Sequence, residues 1–230
     1  MQVISAAGKL SIETLHSPIT GVGVYRILNG SVSIRSISGN VNLGVVNSPT
    51  ADFRLETGKL KVQLLEAENL TVETDSAGVE GTLLPYGTVL INTNTGSVDC
   101  RISLAATRET DNLANVRVIS NLGSILLRYQ QQPSHIPLRS FVSSRVGTVD
   151  VTLADSFQGD WLVSSQVEGL EEISRRPGKE AKVDRGNAEG NSFSLQGRVW
   201  LPGHDAYGRG EPGWSYSEAT TYVAPIRLTL

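Results

Sequence analysis

A glycine with the same apolar framing recurs along this chain, and it limits the fold more than any other feature. At Gly147, Val142 lies five residues before the glycine, and Val149, Val151 and Leu153 lie two, four and six after it. Alternate residues of a strand share a face. The apolar parity changes across the glycine, so the chain bends there and the unit reads strand, glycine corner, strand. Copies sit at Gly8 (Val3, then Leu10 and Ile12), Gly39 (Ile34, then Val41, Leu43 and Val45) and Gly58 (Phe53, then Leu60, Val62 and Leu64). Further copies sit at Gly96 (Ile91, then Val98, Cys100 and Ile102) and Gly123 (Val118, then Ile125 and Leu127). A degraded copy lies between Leu70 and Leu84, with Gly78 or Gly81 at its corner. Successive glycines are about 18 to 31 residues apart, inside the range of array periods.

The residue three before each glycine is Ser5, Ser36, Leu55, Thr93, Ser120 or Ser144. A small hydroxyl at a corner bonds nearby backbone and holds the bend. No segment before residue 160 sustains a 3.6-residue apolar period, so the chain is all-β. Two architectures fit. Units repeated this often suit a single β-solenoid domain over residues 1–230, with inserts at 108–114 and 130–137 looping out. Asn29-Gly30 and Asn94-Thr95-Gly96 also suit hairpin turns, which would build a β-sandwich. In either case Val98, Ile125, Val149 and Val151 should share one core.

After Trp161 the character changes. Residues 168–191 are charged and poor in apolar residues, which predicts an exposed, mobile loop. Residues 192–230 form an aromatic-rich closing segment. Alternation resumes over 192–201, a Gly/Pro/aromatic loop follows, and 220–230 closes the chain as a strand. Pro225 predicts an edge or end position for that strand.

The segments FVSSRVGTVDVTLADSFQG and INTNTGSVDCRI resemble the bacterial adhesin-like β-helix domains of unknown function. They resemble still more the fungal relatives of those domains, in which Ser-x-x-Gly-x-Val-x-Val precedes Phe-x-Gly, here Phe157-Gln158-Gly159. The resemblance covers roughly residues 1–165 and the last strands. It implies a right-handed single-stranded β-helix with a structural or adhesion-type role, and it carries over no catalytic residue.

The chemistry-bearing residues are sparse. Net charge is -3, which gives no broad attraction to nucleic acid. No apolar run of about 18 residues spans a bilayer, and the N-terminal stretch lacks the pattern of a signal peptide. The expectation is a cytosolic protein, or part of a longer, anchored chain displayed at a surface. Cys100 is the only cysteine and fills an apolar slot. His16, His135 and His204 lack the spacing of metal ligands, and no cofactor motif is present, so no metal or cofactor is expected.

Stacked units would place Asp99 and Asp150 on either side of Leu126, beside Arg101 and Arg128. That quartet is the candidate carbohydrate site if the domain acts on or binds sugars. Trp200, His204, Tyr207 and Trp214 are the candidates for a protein or glycan interface at the C-terminal end. The expected function is therefore a non-enzymatic interaction domain, with carbohydrate binding or turnover as the alternative.

Overall fold

Apolar alternation on both sides of each glycine produces strands on both sides of each bend. The computed structural model describes residues 2–104, 113–133, 135–166, 171–175, 177, 180–185, 193–200 and 214–230. Among these the fold is all-β, with no helix. The first strands are β1 (Gln2–Thr14), β2 (Ile19–Ser36), β3 (Val41–Asn47), β4 (Thr50–Leu55), β5 (Lys59–Thr74) and β6 (Gly78–Thr93). There follow β7 (Val98–Ser103), β8 (Ala114–Ser120), β9 (Ile125–Gln131), β10 (Leu138–Ser144) and β11 (Val149–Thr152). The last six are β12 (Gly159–Ser165), β13 (Glu171–Ser174), β14 (Glu180–Arg185), β15 (Phe193–Trp200), β16 (Ser215–Thr221) and β17 (Ile226–Thr229).

The strands pair in two parallel columns, and each pass of the chain gives one strand to each. The first column contains residues 9–14, 31–36, β4, 69–74, 88–93, β8 and β10. The second contains residues 19–26, β3, the first half of β5, the first half of β6, β7, β9 and β11. Because β2 and β5 cross both columns, β2, β3, β5 and β4 form a closed ring of pairings. Inward residues of both columns meet in one core. Val98 and Ile125 are 1% exposed and Val149 and Val151 are 0% exposed, as their strand phase requires. Phe53, Phe157 and Trp161 lie in the same cluster.

The corners stack as well. Ile37 N–H donates to Thr14 O, Glu56 to Ser36 O, Asp75 to Leu55 O and Asn94 to Thr74 O. At Gly58 φ is +107° and a Cβ would strike the Gly39 carbonyl, so both conformation and close approach select glycine. The degraded copy turns at Ala77, one residue before Gly78. Gly8 is not a corner of this kind. It stacks under Gly30 inside a pass, and the matching first corner is Ser17, which a Cβ on Gly39 would approach. The side chains of Val3 and Ser5 are outside the described set. Asn29-Gly30 and Asn94–Gly96 are not hairpin turns, because every pairing through β11 is parallel.

Beyond residue 152 the order changes. β12 does not lie on β10. β16 sits between β10 and β12, and β17 sits between β11 and β13, all parallel. The first column then ends in two antiparallel pairings, β12 with β15 and β15 with β14. Two expectations are corrected here. The expected closing strand over 220–230 is the end of β16, a corner and β17, and β17 is interior, with Pro225 just before its first residue. Pro225 fits because its carbonyl makes the ladder bond, accepting from Val149 N–H at 3.0 Å. The stretch 168–191 also contains β13 and β14 where a loop was expected. Backbone pairing to β17 and β15 orders these two strands, and Ile173 packs on the core. The remaining residues of that stretch lie mostly outside the described set.

Candidate functional site

Register places the Asp/Arg quartet where alternation put it. Asp99, Leu126 and Asp150 are successive partners across β7, β9 and β11, and Arg101 faces Arg128. Asp99 and Arg128 form an exposed ion pair at 3.1 Å. The column also holds Glu80, which lies beside Asp99 and is bonded by Lys59 and Lys61. Hydrogen bonds from these ammonium groups pull the Glu80 carboxyl down to about 2. The quartet lies on an outward strand face and lines none of the cavities described below. An exposed pair of this kind contributes about 1 kcal/mol or less.

The C-terminal aromatics separate by position. Trp161 is buried in the core, and Gly197 directly across the pair leaves space for its ring. Trp200 Nε1–H donates to Glu180 Oε2 at 2.7 Å. Trp214 Nε1–H donates to Asp160 Oδ2 at 3.2 Å, and Arg198 stacks on the indole while donating to Asp160 Oδ1. These bonds fix Trp200 and Trp214 against strands. His204 and Tyr207 lie outside the described residues. Cys100 is fully buried, and burial pushes its thiol up to about 12, so it is a packing residue.

A long concavity was not foreseen. A groove of about 1430 Å³ runs along the first column beside the stacked corners. It crosses eight strand levels, from residues 13–15 to Tyr222, or about 34 Å at the usual strand spacing. One wall is the last outward residue of each strand: Glu13, Arg35, Arg54, Glu73, Asn92, Ile119 and Ser143. The other is the first corner residue: Leu15, Ile37, Glu56, Asp75, Asn94, Asn121, Arg145 and Tyr222.

Parallel register turns these into ladders. Asn121 Nδ2 donates to Asn94 Oδ1 at 3.2 Å, and Asn94 Nδ2 donates to Asp75 Oδ1 at 2.8 Å. Opposite them, Arg35 pairs with Glu13 and Arg54 with Glu73. The intervening hydroxyls turn inward and fasten the corners, as the sequence suggested. Thr93 Oγ1 donates to Gly96 O at 2.8 Å, and Ser120 and Ser144 accept from Gly123 and Gly147 N–H. Next to the groove, Leu122, Val146 and Val223 are 51%, 44% and 57% exposed on consecutive levels.

The groove offers amides, charges and one phenol on successive strand levels. Among the described residues no cluster of His, Cys, Asp and Glu is placed to hold a metal. Among them also, no helix is long and apolar enough to cross a membrane. Sequence reasoning missed the groove because its walls are polar residues at two offsets that no motif joins. Stacking the minus-two and minus-four residues of each copy would have found it.

A family model described as a domain of unknown function (DUF7330) matches residues 87–175, less than half the chain. That span supplies Asn92, Asn94, Asn121, Ser143 and Arg145 of the groove. No curated protein matches the chain, and no solved structure does.

Proposed function

We propose that this chain is a non-enzymatic interaction domain, built as a right-handed β-solenoid of the adhesin-like kind, that holds an extended ligand along its corner groove. One observation carries the reading: a groove crosses eight strand levels and presents a charged or amide side chain at seven of them. A rigid array of this kind suits a chain-like partner that is met by polar side chains at successive levels. Tyr222 and the apolar residues beside it add area that a partner can cover.

Carbohydrate binding is the second reading, supported by the Asn94–Asn121 amide ladder and the Tyr222 ring. Turnover by Asp99 and Asp150 has less support, because Asp99 is ion-paired and the quartet lines no shared cavity. A glycan and extended-peptide array tests the proposal. Wild type should retain a defined ligand, and Asn94→Ala/Tyr222→Ala should lose it while Asp150→Ala keeps it. Binding untouched by the groove variant, or ligand cleavage abolished by Asp150→Ala, would contradict the proposal.

A further inference from the structure

A second depression, of about 630 Å³, lies on the outward side of the first column. Strand alternation builds it. β10 presents Arg139, Phe141 and Ser143 outward, β8 presents Asn115, Arg117 and Ile119, and β6 presents Thr88, Leu90 and Asn92. Register sets Arg139 between Asn115 and Tyr216, and Phe141 between Arg117 and Glu218. The Arg117 guanidinium sits 5.2 Å from the centroid of the Phe141 ring.

This face carries unpaired positive charge. Among the described residues no carboxylate lines the depression, although the protein carries a net charge of -3. Arg35, Arg54, Arg128, Arg198 and Arg227 all have carboxylate partners. Arg117 and Arg139 have none among the described residues, and neither do Arg145 just beyond β10 nor Arg26 and Arg101 on the second column, but Arg117 and Arg139 lie on neighbouring strands of one depression. The carboxylates on the adjoining strands are already engaged. Tyr216 donates to Glu218 at 3.1 Å, and Arg198 and Trp214 hold Asp160.

We propose that this face of β8 and β10 binds an acidic oligosaccharide. Spaced guanidiniums recognise spaced carboxylate or sulfate groups through two-point hydrogen bonds. Leu90 and Phe141 offer apolar area to the C–H faces of sugar rings, and Asn92, Asn115 and Thr88 suit sugar hydroxyls. A densely charged polyanion such as nucleic acid fits poorly, because three arginines on an acidic protein neutralise few phosphates. The inference does not rest on the groove. The depression needs only its own residues, although Asn92 and Ile119 line both.

Calorimetric titration of the full chain tests it with three probes: tetragalacturonate, a heparin-derived tetrasaccharide and neutral cellotetraose. At least one acidic probe should bind about tenfold more tightly than cellotetraose. Which of the two binds separates carboxylate from sulfate as the recognised group. Arg117→Gln/Arg139→Gln should lose about tenfold for that probe at an unchanged melting temperature. Arg117→Lys/Arg139→Lys should keep part of the affinity, and Tyr222→Ala in the groove should leave it intact. Equal binding of acidic and neutral probes would overturn the proposal. So would no binding of either acidic probe, or acidic binding that survives Arg117→Gln/Arg139→Gln.

Discussion

Between residues 41 and 152 each pass of the chain lies on the pass before it, whereas from residue 159 onward the next pass is displaced and a later one takes its place. Both regions use the same parallel register and the same inward alternation. They differ in sequence separation. In the regular region Asn94 and Asp75 meet across 19 residues, while Thr220 and Ser143 meet across 77. Closing the longer loop costs little extra entropy, since that term rises only with the logarithm of length, by about 0.6 kcal/mol per doubling. Pairing between successive passes can therefore be written residue by residue, and a distant strand can still complete the column. Such a strand adds non-local contacts of the kind that slow folding.

Ending the chain at residue 213 is the most severe way to break this comparison. It removes β16 and β17, leaving β10 and β12 without their shared neighbour. Amides of β12 and β15 should lose hydrogen-exchange protection while β3 to β7 keep theirs. Uniform loss across the chain would make the two regions one cooperative unit. Core truncation comes next. Phe53→Ala in the regular region and Trp161→Ala in the closing region should each cost about 3–5 kcal/mol in a urea titration. Trp161→Phe should cost less, about 1–2 kcal/mol, because the cavity it leaves is smaller and the buried Nε1 has no hydrogen-bond partner to lose.

Gly58→Ala sharpens the comparison at a corner. Positive φ and the Gly39 carbonyl together predict a loss of about 1–3 kcal/mol, read the same way. Smaller still is a contrast between two corner hydroxyls. Thr93→Val removes a bond to Gly96 O and should cost about 1 kcal/mol. Thr221→Val occupies the same slot in the inserted pass, where the hydroxyl has no partner, and should shift stability by less than about 0.5 kcal/mol. The smallest effect is pH-dependent. Glu80 titrates lower in the folded state than its ordinary 4.5, near 2, so its stabilisation is complete above pH 4.5 and is lost as pH falls towards 2. Across that window the melting temperature of wild type should fall slightly more than that of Glu80→Gln.

The regular region was legible in the sequence because each corner announces itself locally. Gly39, Gly58, Gly96, Gly123 and Gly147 are real corners, and the hydroxyls three residues earlier fasten several of them. Gly8 was misread because the true first corner, Ser17, has the hydroxyl Thr14 before it but no glycine. The insertion of β16 was not legible, since nothing in residues 215–221 states which strands they will join. The quartet around Asp99 and Asp150 was placed correctly in register, but alternation does not report concavity. The groove and the Arg117–Arg139 face are polar surfaces, invisible to a method that follows apolar periodicity.

Cysteine cross-linking measures the strand order directly. Ser143 is in register with Thr220, and Thr220 with Ser164, so Ser143 and Ser164 are two strands apart. Neighbouring parallel strands lie about 4.8 Å apart, within disulfide reach, and twice that is outside it. Cys100 is buried and should not compete. Ser143→Cys/Thr220→Cys should form a disulfide under mild oxidation, and Ser143→Cys/Ser164→Cys should stay reduced. A disulfide in the second pair and none in the first would mean that the passes follow in chain order, and the inserted strand would be wrong.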